Sequence, residues 1–290
     1  MMIDHQTESQ IIQVLEQALL EDIGMGDVTT EATIDADTVG EGDVLVKEAG
    51  VIAGLAVAGL LFRMVDEEVS FIPEVEDGSR VGANTVVAHV RGPLATILRG
   101  ERIALNIMQR MSGIATLTRK FVDAVSGTGA KIIDTRKTVP GLRILDKLAV
   151  RTGGGENHRF GLDDMVLIKD NHVTAAGGIS AALDRCKAFF SDKNYRLKIE
   201  IETRSIAEVE EALKHGGMQM IMLDNFAPTV MQEGVRRINH TVEVEASGNM
   251  TLENVRAVAE TGVDFISVGA LTHSAKALDI SLKIVPRPIH

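Results

Sequence analysis

The sequence predicts an α/β protein whose C-terminal half is a barrel of parallel strands, and three observations point there. Six short apolar runs recur after residue 130: Lys131–Asp134, Met165–Ile168, Lys198–Ile201, Met220–Leu223, Val242–Glu245 and Phe265–Val268. Most are separated by amphipathic helical stretches such as Ser205–His215, Pro228–Ile238 and Leu252–Thr261, and a crossover helix is the economical way to join parallel strands. Each run ends in a polar or small residue: Asp134-Thr135-Arg136, Lys169-Asp170, Glu202, Asp224, Ser247 and Gly269. From Lys169 these endings recur at intervals of 33, 22, 23 and 22 residues. A barrel draws its active site from the C-terminal ends of many strands, whereas a doubly wound sheet concentrates it at one switch point. No Gly-x-Gly-x-x-Gly follows any of these strands, and Gly153-Gly154-Gly155 lacks that spacing and strand context.

The N-terminal part has a different texture. Glu8–Asp22 has helical spacing in Ile11, Ile12, Leu15, Ala18 and Leu19. Gly24, Gly26, Asp27 and the paired threonines after them read as a loop. Between Gly42 and Leu98, short runs (Val44–Val46, Val69–Ile72, Val86–Val90) punctuated by glycines predict strands, with Asp77-Gly78 as a tight turn. Glu101 to about Ser126 reads as one or two helices, with Ile103, Ile107 and Met111 on one face.

At 290 residues the chain is long enough for one large domain or two modest ones. A hydrophobic fraction of 45% and a charged fraction of 24% are ordinary for a globular protein. No run approaches the roughly 18 apolar residues that a membrane span needs. The polar start, Met1–Gln10, resembles neither a signal nor a transit peptide. With 1 cysteine, Cys186, no internal disulfide can form. These features lead to the expectation of a cytoplasmic protein. Cys186 falls in a predicted helix, Ala181–Phe190, and reads as a small buried hydrophobe rather than a nucleophile. The net charge of −11 argues against nucleic acid or an anionic membrane as partner. Between Lys131 and His172, however, eight Lys or Arg face six Asp or Glu, a local balance of +2 that leaves −13 for the remainder. A basic island in an acidic chain suits capture of a small anion.

The densest stretch is Asp134-Thr-Arg-Lys-Thr-Val-Pro-Gly-Leu-Arg143. Arg136 and Lys137 at a strand end make an anion clamp, Arg with a planar fork and Lys with a mobile point charge. In Arg151-Thr-Gly-Gly-Gly-Glu-Asn-His158-Arg159, three glycines permit close backbone approach to a ligand, and His158 and Arg159 add donors. In Leu167-Ile-Lys169-Asp-Asn-His172, Lys169 could bind phosphate or form a Schiff base. Glu202 and Asp224, on successive strand ends, could hold ribose hydroxyls, a metal or a cationic transition state. Ala246-Ser-Gly-Asn249 and Val268-Gly-Ala-Leu-Thr-His273 put small residues before helix starts, a phosphate cradle of backbone N–H groups and helix dipole. Taken singly, each feature also has a bland reading: a salt-bridged loop, a core histidine, a helix cap.

Together these strings (DTRKTVPGLR, KLAVRTGGGENHR, LIKDNH, LDNF, EASGN and VGALTH) resemble the quinolinate phosphoribosyltransferase family in order and spacing. The early EDIGMGDVTT and the helix RGERIALNIMQRMSGIAT fit as well, so the resemblance runs from about Leu19 to Asp279. It implies an N-terminal α/β sandwich over residues 1–112, to which the tail 276–290 returns, and an incomplete α/β barrel of six or seven strands over 113–275. It implies a homodimer with a composite active site, Mg2+ as cofactor, and small-molecule substrates. The implied reaction joins quinolinate to phosphoribosyl pyrophosphate and releases nicotinate mononucleotide, pyrophosphate and CO2. By the same resemblance Arg102 of the partner, Thr135, Arg136, Lys137, His158 and Arg159 surround quinolinate. Lys169 and the pair Glu202 and Asp224 meet the phosphoribosyl group, with Mg2+ held through that substrate and the same two carboxylates as its candidate protein ligands. Ser247, Gly248, Asn249, Gly269 and His273 seat the 5′-phosphate; Lys137, Glu202 and Asp224 are the expected catalytic residues.

Other readings weigh less. A phosphoribosyltransferase acting on another pyridine or heterocyclic acid would share the phosphate half, but a second carboxylate explains the extra cations of GGGENHR. A Schiff-base aldolase at Lys169 sits poorly beside Arg136-Lys137. A lipoyl- or biotinyl-carrier reading of Glu76–Gly82 lacks a modification lysine at the turn.

Overall fold

A computed structural model of the chain describes residues 5–193 and 196–287. The N-terminal elements are α1 (His5–Ile23), α2 (Val28–Thr33), β1 (Val39–Val46), β2 (Gly50–Val51), α3 (Leu55–Val65), β3 (Ser70–Pro73), β4 (Arg80–Val81), β5 (Thr85–Pro93) and α4 (Leu94–Ala124). Next come β6 (Lys131–Ile133), α5 (Arg143–Thr152), β7 (Val166–Ile168), α6 (Asp170–Ala176), α7 (Ile179–Lys193) and β8 (Ile199–Thr203). The remainder is α8 (Ile206–His215), β9 (Met220–Asp224), α9 (Pro228–Ile238), β10 (Glu243–Ser247), α10 (Val255–Ala259), β11 (Phe265–Ser267), α11 (Ala270–His273) and β12 (Ile280–Arg287).

The chain divides into two units. One holds the residues up to Arg119, Thr138–Gly154 and the stretch from Thr272; the other holds Lys120–Lys137 and Gly155–Leu271. This differs from a single cut after residue 112, because α5 clusters with the N-terminal part. Of the expected returning tail, residues 288–290 lie outside the described residues.

In the first unit, β12, β1, β5 and β3 form an antiparallel sheet in that order. Along β1 every second residue (Gly40, Gly42, Val44, Val46) is buried, the period that a half-covered sheet imposes. Leu55, Val57, Leu61 and Phe62 of α3 are buried, and Phe62 stacks on Phe71 of β3 with ring centroids 5.7 Å apart. Burial of such side chains stabilises by about 1.5–3 kcal/mol each. The Gly24–Thr30 stretch is not wholly loop. Asp27 Oδ1 accepts the Thr30 backbone N–H at 3.0 Å and caps α2, a short helix that the glycine-rich sequence hides. The Asp77-Gly78 turn is also structural: Asp77 accepts the backbone N–H groups of Leu55 and Ala56 at 3.0 and 3.3 Å. That explains the carrier-like string without a carrier.

A buried ion pair of this unit joins Arg110 of α4 to Asp146 of α5. Arg110 donates through Nε and Nη2 at 2.7 Å each, and Asp146 is 0% exposed. The same carboxylate accepts the Val139 N–H at 3.3 Å. Asp146→Ala leaves a guanidinium without its partner, and the expected loss is about 3 kcal/mol, measured by urea unfolding. A double replacement of both residues by apolar side chains of similar volume should recover most of it.

The second unit is a parallel sheet in the order β6-β11-β10-β9-β8-β7. Sequence order would close a ring between β6 and β7, yet those two are not paired, so the barrel is incomplete. Six strands are present; beside β6 there is only an isolated parallel bridge, Ile133 to Glu156. Fully buried Ile132, Ile201, Ile221, Leu223, Ala246 and Ile266 give the near-continuous apolar strands expected when helices cover a parallel sheet. Because the strands are parallel, all their C-terminal ends lie at one end of the barrel.

Candidate active site

At that end the second unit has a cavity of about 360 Å3, within the usual range for small-ligand sites. Thr135, Arg136, Lys137, His158, Arg159, Lys169, Glu202, Asp224 and Ser247 all line it, with Leu167, Met222, Glu245 and Ser267 below. Gly248 and Asn249 follow β10, and Gly269 follows β11, without lining the cavity. Arg102, on α4, and His273, closing α11, belong to the first unit and are exposed. A concavity of about 320 Å3 in the first unit is lined mainly by apolar side chains such as Ile103, Ile107 and Leu145 and gathers no comparable set of charges.

One wall of the cavity is basic. Arg136 follows β6, and its Nε is buried with no hydrogen-bond partner among the described residues. Arg159 donates to the Met165 carbonyl at 3.1 Å; burial, with Arg136 beside it, lowers its pKa. The segment that presents His158 is fixed by Asp134, which is 0% exposed. Asp134 accepts from Asn157 Nδ2 at 2.6 Å and from the His158 backbone N–H at 2.9 Å. His158 turns its Nε2 towards two buried carboxylates, Glu200 Oε2 at 2.9 Å and Glu245 Oε2 at 3.2 Å. Burial alone would lower the imidazole pKa, but its hydrogen bond to Glu200 and the charges of Glu245 and Glu200 raise it to about 9. Burial, with Glu245 close by, pushes Glu200 up to about 8 against the pull of His158.

The opposite wall is acidic. Glu202 is the penultimate residue of β8 and Asp224 the last of β9, and the two strands are hydrogen-bonded neighbours. Burial first, then Asp224, raises the Glu202 pKa, while Arg204 and Lys169 oppose the shift. Arg204 Nη2 spans Asp170 at 2.8 Å and Glu202 at 3.3 Å. Asn225 holds Asp224: its Nδ2 donates to Asp224 Oδ2 at 2.8 Å, and its Oδ1 accepts from Asn249 at 3.1 Å. Gly248, at φ +102°, faces that side chain, and a Cβ there would lie 2.2 Å from Asn225 Oδ1. Lys169 is exposed, with its backbone N–H donating to His172 Nδ1 at 2.9 Å.

Two expectations change here. The triglycine is not primarily a ligand cradle: a Cβ on Gly153 would stand 2.6 Å from the Ala115 carbonyl, and Gly154, at φ +92°, lies against the Arg119 side chain. These two glycines serve chain packing within the first unit. The proposed phosphate cradle has a helix start only after Gly269. Beyond β10 the helix begins at Val255, too far from Gly248 for its dipole to act there. The basic island is also mixed: Lys131 pairs with Glu156 at 2.9 Å, and Lys147 is buried in the first unit. Cys186 is half-buried, and burial raises its thiol pKa, which disfavours an attacking thiolate. Arg204, Asn225, Glu200 and Glu245 are missing from the sequence-derived site. For the last two a signal exists, a carboxylate inside an otherwise apolar strand run.

A barrel whose strand ends set a basic wall against paired carboxylates defines an α/β-barrel protein built for an anionic ligand. The chain belongs to the quinolinate phosphoribosyltransferase family. The family's C-terminal domain matches residues 114–283 and its N-terminal domain residues 27–112. The "Quinolinate phosphoribosyltransferase [decarboxylating] 1b" of Nicotiana tabacum is 47% identical over 286 residues, covering 93% of this chain and 81% of that protein. The crystal structure of NadC from Streptococcus pyogenes superposes with a TM-score of 0.91 at 37% identity, over 96% of this chain and 98% of that one. The nicotinate-nucleotide pyrophosphorylase from Ehrlichia chaffeensis gives 0.89 at 38% identity, over 98% of this chain and 100% of that one.

Proposed function

We infer that this chain transfers the phosphoribosyl group of phosphoribosyl pyrophosphate to the ring nitrogen of quinolinate. The C2 carboxylate leaves as CO2, and the products are nicotinate mononucleotide and pyrophosphate, a step of NAD biosynthesis. The observation that carries this reading is one cavity with Arg136, Lys137, His158 and Arg159 on one wall and Glu202 and Asp224 on the other. Two adjacent carboxylates on a flat ring call for several cations, and Arg in particular matches a carboxylate with its planar fork. Arg102 of a second copy completes that set in a homodimer. It is exposed on α4, and its side chain makes no hydrogen bond or ion pair among the described residues.

Glycosyl transfer to nitrogen passes through an oxocarbenium-like state. Carboxylates near the ribosyl carbon stabilise that state more than the neutral ground state, which is what raises kcat. Glu202 and Asp224, aligned by Arg204 and Asn225, fill that role. The pyridine nitrogen is its own nucleophile, so the site needs no strong base. Once alkylated, the ring nitrogen bears positive charge that stabilises the electron pair left on C2 as CO2 departs, and a proton from solvent then takes the place of the carboxylate. Lys169, with Ser247, Gly248, Asn249 and Gly269, receives phosphate oxygens. Mg2+ suits the site, since Glu202 and Asp224 offer hard oxygen ligands, close enough for Asp224 to raise the Glu202 pKa; bound with the substrate, it would supply charge for the departing pyrophosphate. A Schiff-base role for Lys169 finds no support, because the side chain is exposed rather than desolvated.

The direct test supplies quinolinate labelled in its C2 carboxylate, with and without phosphoribosyl pyrophosphate. Labelled CO2 and nicotinate mononucleotide should appear together and only with both substrates; their absence from a folded enzyme overturns the reading. Glu202→Gln and Asp224→Asn should each lower kcat about 100-fold or more, the scale of one lost electrostatic stabiliser, while quinolinate affinity stays within a few-fold. Weakened binding at unchanged kcat would make them ground-state ligands only.

A further inference from the structure

Below the cavity floor, the inward face of the barrel departs from the apolar filling that such interiors normally have. Side chains two residues apart on a strand share a face, so Glu200 lies one layer beneath Glu202, and Glu245 one layer beneath Ser247. Both are essentially without exposure, at 0% for Glu200 and Glu245 alike. Glu200 Oε1 and both carboxyl oxygens of Glu245 have no hydrogen-bond partner among the described residues, so Glu200 meets the ring through a hydrogen bond and Glu245 through proximity and charge. A buried pair of carboxyl groups is costly unless it shares a proton between its members and serves a cation, and the basic group within reach of both is the His158 ring, at 2.9 and 3.2 Å from its Nε2. The charge of an arginine is fixed, but that of a histidine is set by its surroundings.

We propose that Glu200 and Glu245 are positioning residues that hold His158 from below as an imidazolium of fixed orientation, so that the cavity presents a cation there to a dicarboxylate. The dicarboxylate part rests on the function proposed above; the charge of the ring does not. The groups facing the ring are Glu200 on β8, Glu245 on β10 and Asp134 beyond β6, which holds the adjacent backbone N–H. Arg136, Lys137 and Arg159 stand on the cavity side. The elevation of the imidazole pKa described above agrees with this geometry. The sign is that of a raised base: the proton stays on at neutral pH and is lost only as the pH climbs through the elevated value.

The experiment uses the intact enzyme labelled with 15N in its histidine rings, with the His158 signal identified by its loss in His158→Asn. In the wild type both ring nitrogens should keep imidazolium shifts from pH 6 to 8, and phthalate, a dicarboxylate with no ring nitrogen, should bind with near-constant affinity over that range. In Glu200→Gln and in Glu245→Gln the ring should titrate at a lower pH. Phthalate binding at pH 8 should weaken about tenfold or more and recover as the pH falls. Phosphoribosyl pyrophosphate affinity serves as the folding control and should change less than about threefold. A purely structural role would not give a pH-dependent loss confined to the dicarboxylate. A wild-type ring that is neutral at pH 7, a measurement that needs no variant, overturns the proposal even if phthalate binds. A ring that stays charged while wild type fails to bind phthalate retains the positioning role and overturns the dicarboxylate reading instead.

Discussion

Nicotinate should be a poor substrate, with kcat/KM below that of quinolinate by about 30-fold to several-thousand-fold. The two acids present the same nucleophilic nitrogen and lead to the same nucleotide, so the difference lies in the second carboxylate. Arg136, Lys137, His158 and Arg159 line one wall of the cavity, and one carboxylate cannot neutralise that wall. Leaving one partner of a desolvated charge pair without its counterpart costs about 2–5 kcal/mol, which converts to the ratio above. Phthalate keeps both carboxylates and lacks the nitrogen, so it should bind, inhibit competitively against quinolinate and yield no product. Arg136→Ala and Arg159→Ala should weaken phthalate and quinolinate together. Comparable kcat/KM for the two acids, or no inhibition by phthalate, removes the dicarboxylate from this wall.

The barrel is legible in the sequence because parallel strands covered on both faces are written as continuous apolar runs, and crossover helices space them evenly. The strand endings are legible for a related reason. A barrel exposes its C-terminal ends, so Lys169, Glu202, Asp224 and Ser247 stand out as polar residues closing apolar runs. The N-terminal sheet is legible mainly through its buried valines. Its helix α2 is hidden because a single aspartate cap, Asp27, outweighs the glycines and paired threonines around it.

What sequence does not disclose is which residues support which. Arg204 and Asn225 carry no sequence signal of a supporting role, and only the folded geometry puts them against Glu202 and Asp224. Gly153 and Gly154 look like a ligand cradle because glycine marks any close approach, and the spacing of a string does not say whether the approaching atoms belong to a substrate or to Ala115 and Arg119. Glu200 and Glu245 are visible as carboxylates within apolar runs. Their convergence on His158 depends on the order of strands around the barrel, a long-range property that no local window contains.

Arg102→Ala and Lys137→Ala should each be almost inactive as pure proteins, yet a mixture allowed to exchange subunits should regain activity. Lys137 lines the cavity of its own subunit, whereas Arg102 stands exposed on α4 with no ion-pair partner among the described residues. If Arg102 serves the neighbour's cavity, a mixed dimer contains one site with both defects and one with neither. Random exchange of equal amounts makes about half the dimers mixed, so about a quarter of all sites become intact, and kcat per subunit should approach that fraction of wild type. The recovered sites should show the wild-type KM for quinolinate, because each is chemically complete. A site confined to one chain predicts the opposite, since every subunit in the mixture still carries its own defect. No recovery after exchange has been verified, by tagged subunits or by mass, would place Arg102 in its own subunit's site or outside the site altogether.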